Sequence, residues 1–481
     1  MRSYNSLVHG PIHQKRKDEI LLKPLGVMKM PERRFWNEKM ETLSKDELRA
    51  LQLRRLKKQL KYEYRNSPYY KERFDSAGFH PNDLKELEDI RKLPLFTKDE
   101  HRRVQEASLE KYGHPYGLHL CAPLEKVVAV NATSGTTGVP TFYTFTRHDI
   151  SVNNECHARG LWRIGIRPGD AVAHAMALSM FVGGTPVIEA FQAFGARVLP
   201  IGAEGGTERL LQFVQFCKPK MLMCTPSYAE YLITKATTVI GKEVGQLGIE
   251  ILYIGGEPGG GIPEVRRRLE EAYKGKVYDD MGGCWGFWMN SCDAHDGMHF
   301  ASEDLSYVEV IDPATGKALD IEDGVIGEMT TTSLDWEAGP ILRYNMGDVI
   351  QILTKPCSCG SAGIRIKVLG RADDMLIVKG INVYPAAVKN LVTSFIPRVT
   401  GEMRILLDKP GPRVDPPLKM KVEHGEGLTS GEIDDLKKDM ESKMSGLLRF
   451  RPEIEMVPPE SLDRSSHKTK LIVKLYEGKK N

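Results

Sequence analysis

The chain has 481 residues, 41% hydrophobic and 27% charged, an ordinary globular balance with material for two or three domains and no need of disulfide staples. Lysine and arginine exceed the acids by only 67 to 64, and a net charge of +3 gives no ground for a nucleic-acid or membrane-surface protein. Lys15, Arg16 and Lys17 precede no apolar stretch of signal-peptide length, and no segment approaches the roughly 18 apolar residues of a membrane span, so the expected location is the cytoplasm. Eight scattered cysteines read as free thiols or metal ligands.

From 35 to 73 the sequence is charged, with Leu43, Leu48, Leu51, Leu53, Leu56 and Leu60 at helical spacing, which predicts amphipathic helices covering a larger body. Between 127 and 350 short β-prone runs recur at 127–130, 171–173, 196–199, 221–223 and 251–254, and they alternate with longer helical patterns. That alternation predicts βα units around largely parallel sheets. After Arg371 the texture changes to a small α+β pattern, with strands expected at 375–378, 402–407 and 418–422 and a helix at 430–448. The fold class is therefore α/β: a large N-terminal domain over 1–370 with mostly parallel sheets flanked by helices, and a small C-terminal α+β domain over 371–481. The polar junction Gly370-Arg371-Ala372-Asp373-Asp374 suits either a hinge or a plain surface turn.

The strongest local signal is Thr133-Ser134-Gly135-Thr136-Thr137-Gly138-Val139-Pro140-Thr141, directly after the apolar run 127–130. Its two glycines permit a tight backbone, and hydroxyls with free loop N–H groups can surround phosphate oxygens. No Gly-Lys-Ser/Thr follows and Gly-x-Gly-x-x-Gly is missing, so it is neither a Walker A loop nor a dinucleotide fingerprint. Cys292, His299, Cys357 and Cys359 form a C-x6-H and C-x-C set, with His295 as the competing nitrogen. The segment around Gly282 is unusually aromatic, with Trp285, Phe287 and Trp288 beside Met281 and Met289. Flat rings and thioethers suit an aromatic acid, and an ordinary core would use the same residues. His174 and Tyr228 are candidate polar contacts there, with simple packing as the alternative.

Taken in order, these motifs resemble the adenylate-forming superfamily of acyl-CoA synthetases, adenylation domains and luciferases. The hydroxyl loop resembles its ATP-phosphate loop, and Gly255-Gly256-Glu257-Pro258 resembles its nucleotide-contacting turn. Arg343-Tyr344-Asn345-Met346-Gly347-Asp348 resembles the segment whose aspartate holds the ribose hydroxyls. Gly370 to Asp374 with Lys379-Gly380-Ile381-Asn382-Val383-Tyr384-Pro385 resembles the hinge and the start of the mobile C-terminal domain, and Arg464-Ser465-Ser466-His467-Lys468 the loop of the adenylating lysine. Cys224-Thr225-Pro226-Ser227-Tyr228, the run Asp373-Asp374-Met375-Leu376-Ile377 and the lack of a lysine after Pro140 narrow the resemblance to the phenylacetate-coenzyme A ligase family.

That resemblance implies an AMP-forming acyl-CoA ligase of aromatic acid catabolism that activates an arylacetate or benzoate-like acid as an acyl-adenylate, then transfers the acyl group to coenzyme A. Lys468, Arg371 and Asp373 carry the catalytic roles. Thr133, Ser134, Gly135, Thr136, Thr137, Gly138, Gly256, Glu257, Pro258, Tyr278, Asp279, Asp348 and Arg371 are the expected ATP and AMP contacts. Met180, Phe181, Tyr228, Met281, Gly282 and Trp285 line the expected acyl pocket, and Lys379 with Gly380 face coenzyme A. The Cys3His set is implied to hold a structural zinc ion. A homodimer is the expected assembly, with no nucleic acid and no membrane as partner. In one respect the chain departs from the family: where Tyr-Gly-x-Ser/Thr-Glu is expected it has Tyr278-Asp279-Asp280-Met281-Gly282, leaving glycine in place of the magnesium-holding glutamate. Asp279, Asp280, Glu303 or Asp304 would then supply the Mg2+ oxygen, or the first step is impaired. The rival readings are an adenylation enzyme that loads a carrier-protein thiol and a catalytically impaired nucleotide- or acid-binding homologue.

Overall fold

Short apolar runs bounded by glycines and prolines lay down a sheet that crosses most of the chain. The structure is a computed structural model in which residues 33–133, 140–283, 285–463 and 471–477 are described. Five strands, β3 (Ala171–His174), β4 (Arg197–Pro200), β5 (Met221–Cys224), β6 (Ile251–Gly255) and β7 (Lys276–Gly282), follow β1 (Ala129–Ala132) and β2 (Phe142–Phe145). β3 to β7 pair in parallel, in the order β4-β3-β5-β6-β7. Helices occupy the crossovers between them, as parallel pairing demands. Every residue of β5 and β6 is buried. Alternate side chains therefore feed two cores: Met221, Met223, Ile251 and Tyr253 enter one, and Leu222, Cys224, Leu252 and Ile254 the other.

Beyond β7 the same sheet turns antiparallel. β8 (Trp288–Ser291), β9 (Met298–Phe300), β10 (Ser306–Ile311), β11 (Ala318–Leu319), β12 (Ile326–Ser333), β13 (Tyr344–Leu353) and β14 (Arg365–Arg371) complete a 12-stranded sheet. Its order is β11-β10-β12-β13-β14-β9-β8-β7-β6-β5-β3-β4. The parallel arrangement expected from the βα alternation thus covers β3 to β7; the connection from β7 to β8 is too short to hold a crossover helix, so those strands pair head to tail. The apolar run at 127–130 contributes its second half to β1, which forms a separate hairpin with β2 instead of joining the large sheet.

The helix Arg147–Arg163 covers the first core. A capping box between Thr146 and Asp149 starts it, and the Asp149 carboxylate also accepts the backbone N–H groups of Glu337 (2.7 Å) and Ala338 (3.0 Å). Midway along, Arg159 reaches Asp304 at 2.6 Å, riveting the helix to the antiparallel half of the sheet. The helix Lys45–Asn66 buries Leu56 and Leu60 against Tyr70, Phe74, Leu334 and Leu342, as the leucine spacing predicts.

Residues after Arg371 build β15 (Leu376–Val378), β16 (Ile381–Val383), β17 (Val399–Leu407), β18 (Arg413–Val414), β19 (Leu418–His424), β20 (Pro452–Val457) and β21 (Ile472–Lys474). They form a sheet β16-β15-β18 and a sheet β20-β19-β17-β21, with helices Pro385–Thr393 and Ser430–Leu447 alongside. The three strands and the helix expected here are present; β16, β18, β20, β21 and the helix Pro385–Thr393 lacked a strong enough periodicity to be anticipated. A core of residues drawn from 376 to 476 serves these elements alone. By chain contacts, Phe35–Asn481 is one compact unit. Among the described residues no helix is long and apolar enough to cross a membrane.

Candidate active site

The stem of the hydroxyl-rich loop is closed by its own threonines. Thr133 donates its N–H to the Thr141 carbonyl (3.0 Å), and their hydroxyls share a hydrogen bond at 3.1 Å that continues to the Tyr143 hydroxyl at 3.1 Å. Gln105, from the helix Lys98–Tyr112, clamps the far side: its amide donates to the Pro140 carbonyl (3.1 Å) and accepts from Phe142 N–H (2.6 Å). One side chain thereby imitates a neighbouring strand. Sequence reasoning missed Gln105, since a lone glutamine in a polar helix gives no signal. Ser134, Gly135, Thr136, Thr137 and Gly138, expected around phosphate, lie outside the described residues, as does Lys468.

The carboxyl ends of the parallel strands gather most of the other predicted nucleotide and acyl contacts, where open α/β sheets bind ligands. After β6, Gly256 turns with φ 82°, and the Glu257 carboxylate accepts the Ser227 N–H (2.8 Å) at the start of the helix Pro226–Ile240. Neighbouring Pro258 lies in the same turn. Asp279 accepts N–H groups of Gly260 and Gly261, but burial outweighs them and pushes its carboxyl up to about 7. Asp280 points to the other face of β7, and burial, then the Asp279 charge, hold it well above the usual carboxylate range. Tyr278 is directed away, its hydroxyl donating to Asp293 at 2.6 Å. Neither Glu303 nor Asp304 joins the β7 acids: Glu303 accepts Ile364 N–H (3.2 Å), while Asp304 is held by Arg159 and Arg55. These four acids form no shared magnesium cradle.

Gly282 has a structural reason to be glycine. It is the register partner of Trp288 on β8, and a Cβ at 282 would fall inside the Trp288 ring. The missing side chain makes room for an indole that also donates to the Tyr253 hydroxyl at 2.9 Å and lies 3.8 Å, ring to ring, from His157. Trp285, with φ 67°, packs edge-on to Tyr143 at 4.7 Å and against Tyr344 at 5.2 Å, and donates to the Gly339 carbonyl (3.0 Å). It therefore joins the loop stem to the segment before Asp348. Met281 packs with the core of the antiparallel half. Phe181 bridges Ala132, whose N–H bonds the Met180 carbonyl at 2.7 Å, although the Met180 side chain is itself 47% exposed. His174 is buried and bonded to the Gly183 carbonyl at 2.8 Å. Tyr228 is not brought to Trp285: it belongs to the core on the opposite face of the sheet, its hydroxyl bonded to Thr207 at 3.3 Å.

At the end of β14, Arg371 binds three partners. It donates to Asp348 (3.0 Å) on β13, to Asp373 (2.8 and 3.1 Å) and to the Met346 carbonyl (3.2 Å). Burial opposes ionisation of Asp373, but the Arg371 hydrogen bond and charge prevail and lower it below the usual range. Further on, Lys379 and Gly380 make the tight β15–β16 turn, both with positive φ (53° and 79°).

Cys292, His299, Cys357 and Cys359 converge, with their ligand atoms all within 4.8 Å of one another. Cys292 Sγ is 3.6 Å from Cys357 Sγ, and Cys359 Sγ is 3.3 Å from His299 Nε2. The hydrogen bond between Cys292 and Cys359 drives the Cys359 thiol down and the Cys292 thiol up, leaving thiolate character on Cys359. Three sulfurs and one imidazole at such spacing fit the shell of a tetrahedral zinc ion. His295 stays outside it, 4.0 Å from Glu270 and stacked on Tyr278.

Residues 380–475 match a family model described as the AMP-binding enzyme C-terminal domain. The phenylacetate-coenzyme A ligase of Thermus thermophilus is 32% identical over 449 residues, 90% of this chain and 97% of that protein. A crystal structure of 2-hydroxyisobutyryl-CoA ligase in the postadenylation state superimposes with a TM-score of 0.85 at 28% identity, covering 94% of this chain and 95% of that one. The same enzyme with 2-HIB-AMP and coenzyme A in the thioesterification state gives 0.68 at 29% identity, over 93% and 94%.

Proposed function

The chain belongs to the phenylacetate-coenzyme A ligase family, and from that premise we propose that it activates an aromatic carboxylic acid with ATP and hands the acyl group to coenzyme A. It is an AMP-forming acid-CoA ligase. The observation that carries the reading for this chain's own residues is the Asp348–Arg371–Asp373 knot, which joins β13 and β14 to the start of the C-terminal unit.

Carboxylate attack on the α-phosphate sets anion against anion, so the site has to neutralise oxygens and align the reactants. Arg371 and Lys468 supply cations, the loop after Thr133 supplies hydroxyls and N–H groups, and Asp348 accepts from the ribose. Residues 1–370 form the body that holds nucleotide and acid, and 371–481 turn about Asp373. The turn withdraws Lys468 and brings Lys379 and Gly380 toward the thiol of coenzyme A. The higher TM-score against the postadenylation state than against the thioesterification state supports such a rotation. Magnesium neutralises phosphate oxygens when bound. A structural zinc ion on Cys292, His299, Cys357 and Cys359 ties the 292–299 segment to the turn before β14. The aromatic substrate is supported by the name of the Thermus relative and by the Trp285–Tyr143–Tyr344 cluster beside the loop stem. A homodimer in the cytoplasm completes the reading.

The test is release of AMP and pyrophosphate with ATP, magnesium and a panel of aromatic acids, with and without coenzyme A. Acid-dependent turnover that needs coenzyme A and collapses in Lys468→Ala is expected. Turnover confined to long fatty acids, or with a carrier-protein thiol as the only acceptor, would overturn it.

A further inference from the structure

Asp280 is an acid of the candidate site that nothing among the described residues answers. It is 8% exposed, and its Oδ1 is buried without a hydrogen-bond partner among the described residues. Native interiors leave few polar atoms in that condition. Its neighbours on the same face are already committed. Asn290, its register partner, accepts from Arg163 at 2.7 Å and donates to the Gly160 carbonyl at 3.2 Å. The Tyr253 hydroxyl takes the Trp288 Nε1–H at 2.9 Å. On the other side lies Gly255, where a Cβ would collide with Asp280 Oδ1, so the carboxyl leans over a backbone that has no side chain to meet it.

The place itself is one where ligands bind: the carboxyl end of a parallel strand, beneath the helix Arg147–Arg163. Gly282 and Gly160 make room for the Trp288 ring and Gly255 for the Asp280 carboxyl itself, so Asp280 sits beside the flat faces of Trp288 and Tyr253. The geometry points to Asp280 as a specificity-determining residue of the acid pocket, its carboxyl hydrogen-bonding a hydroxyl carried by the substrate, so that a hydroxylated acid is preferred over its unsubstituted counterpart. This rests on the ligase reading above.

A hydroxyl both donates and accepts, and so satisfies a carboxyl in either protonation state. Burial and the adjacent Asp279 favour the neutral form, which suits a neutral hydroxyl and makes a poor ligand for magnesium. A site built to hydrogen-bond a substrate hydroxyl rejects the analogue lacking it, because its own polar group is then left unpaired.

The experiment compares kcat/KM for aromatic acids matched with their hydroxylated forms, in wild type, Asp280→Asn and Asp280→Ala. Wild type is expected to prefer a hydroxylated acid by at least about tenfold. Asp280→Asn keeps the preference, and Asp280→Ala loses it with KM for ATP and the magnesium requirement unchanged. A wild type that prefers every plain acid, an Asp280→Ala variant that keeps the preference, or one that shifts the magnesium requirement would overturn the assignment. Should Asp280→Ala fail to fold, wild type and Asp280→Asn decide. Should no acid be turned over at all, the ligase reading fails instead. Calorimetric binding of the same matched acids to wild type then judges Asp280 separately: tighter binding of the hydroxylated form upholds it, equal binding overturns it.

Discussion

Two acid pairs flank the candidate site and are held in opposite ways. Asp348, within β13, and Asp373, just after β14, share one guanidinium, and Arg371 keeps Asp373 ionised despite its partial burial. Asp279 and Asp280, at the end of β7, share no cation within bonding distance among the described residues, and burial pushes both toward neutrality. The first pair is complete without a ligand and can act as a fixed joint; in the second, backbone N–H groups hold Asp279 while Asp280 Oδ1 has no partner among the described residues. Removing a partner should therefore damage the first and ease the second.

The largest effect is expected at Asp348. Asp348→Ala leaves Arg371 with Asp373 and the Met346 carbonyl and removes the expected ribose acceptor, and kcat/KM for ATP should fall about 100-fold, a loss typical of misplaced reactants. An unchanged value would end the comparison as drawn. The next effect belongs to a third set of groups, the Cys292, His299, Cys357 and Cys359 cluster proposed to hold zinc. Cys359→Ser should abolish zinc in elemental analysis and lower the melting temperature by about 5 °C, with KM for the acid unchanged.

The last effects are in pH dependence and have opposite signs. Asp279 has a folded value of about 7 against an ordinary 3.8, so its contribution to stability is present below about pH 4 and lost as pH rises through 7. Asp373 is lowered on folding, so its contribution is present above its ordinary value of 3.8 and lost as pH falls through the lowered folded value. In urea unfolding, Asp279→Asn should flatten the decline between about pH 4 and 7, and Asp373→Asn the decline on the acid side. Parallel slopes in the two variants would show that the pairs are not held differently.

Much of this arrangement was legible in advance. The apolar runs at 171–173, 221–223 and 251–254 announced β3, β5 and β6, and the glycines at 255 and 256 announced the turn after them. Cys292, His299, Cys357 and Cys359 were recognisable as one donor set through the family resemblance, since the C-x-C pair alone is a weak signal, and the structure brings their ligand atoms together. The partners of each group were not legible. Gln105 gave no hint of the loop stem 35 residues away. Tyr228 shares its sequence neighbourhood with β5 yet packs on the face away from Trp285. Gly282 looked like a lost carboxylate until Trp288 was seen to fill its side-chain space.

The sequence by itself determined the segmentation, the order of the motifs and the kinds of chemical group available, because periodicity, turn residues and donor types are local properties of the chain. Only the tertiary structure decided which face of β7 each acid meets and which groups are left without a partner. A strand alternates its side chains strictly, but what lies opposite each one is set by helices and strands from distant parts of the chain. That is why Asp279 and Asp280, adjacent and identical in sequence, stand in different surroundings, one against backbone amides and the other buried with an oxygen that has no partner among the described residues.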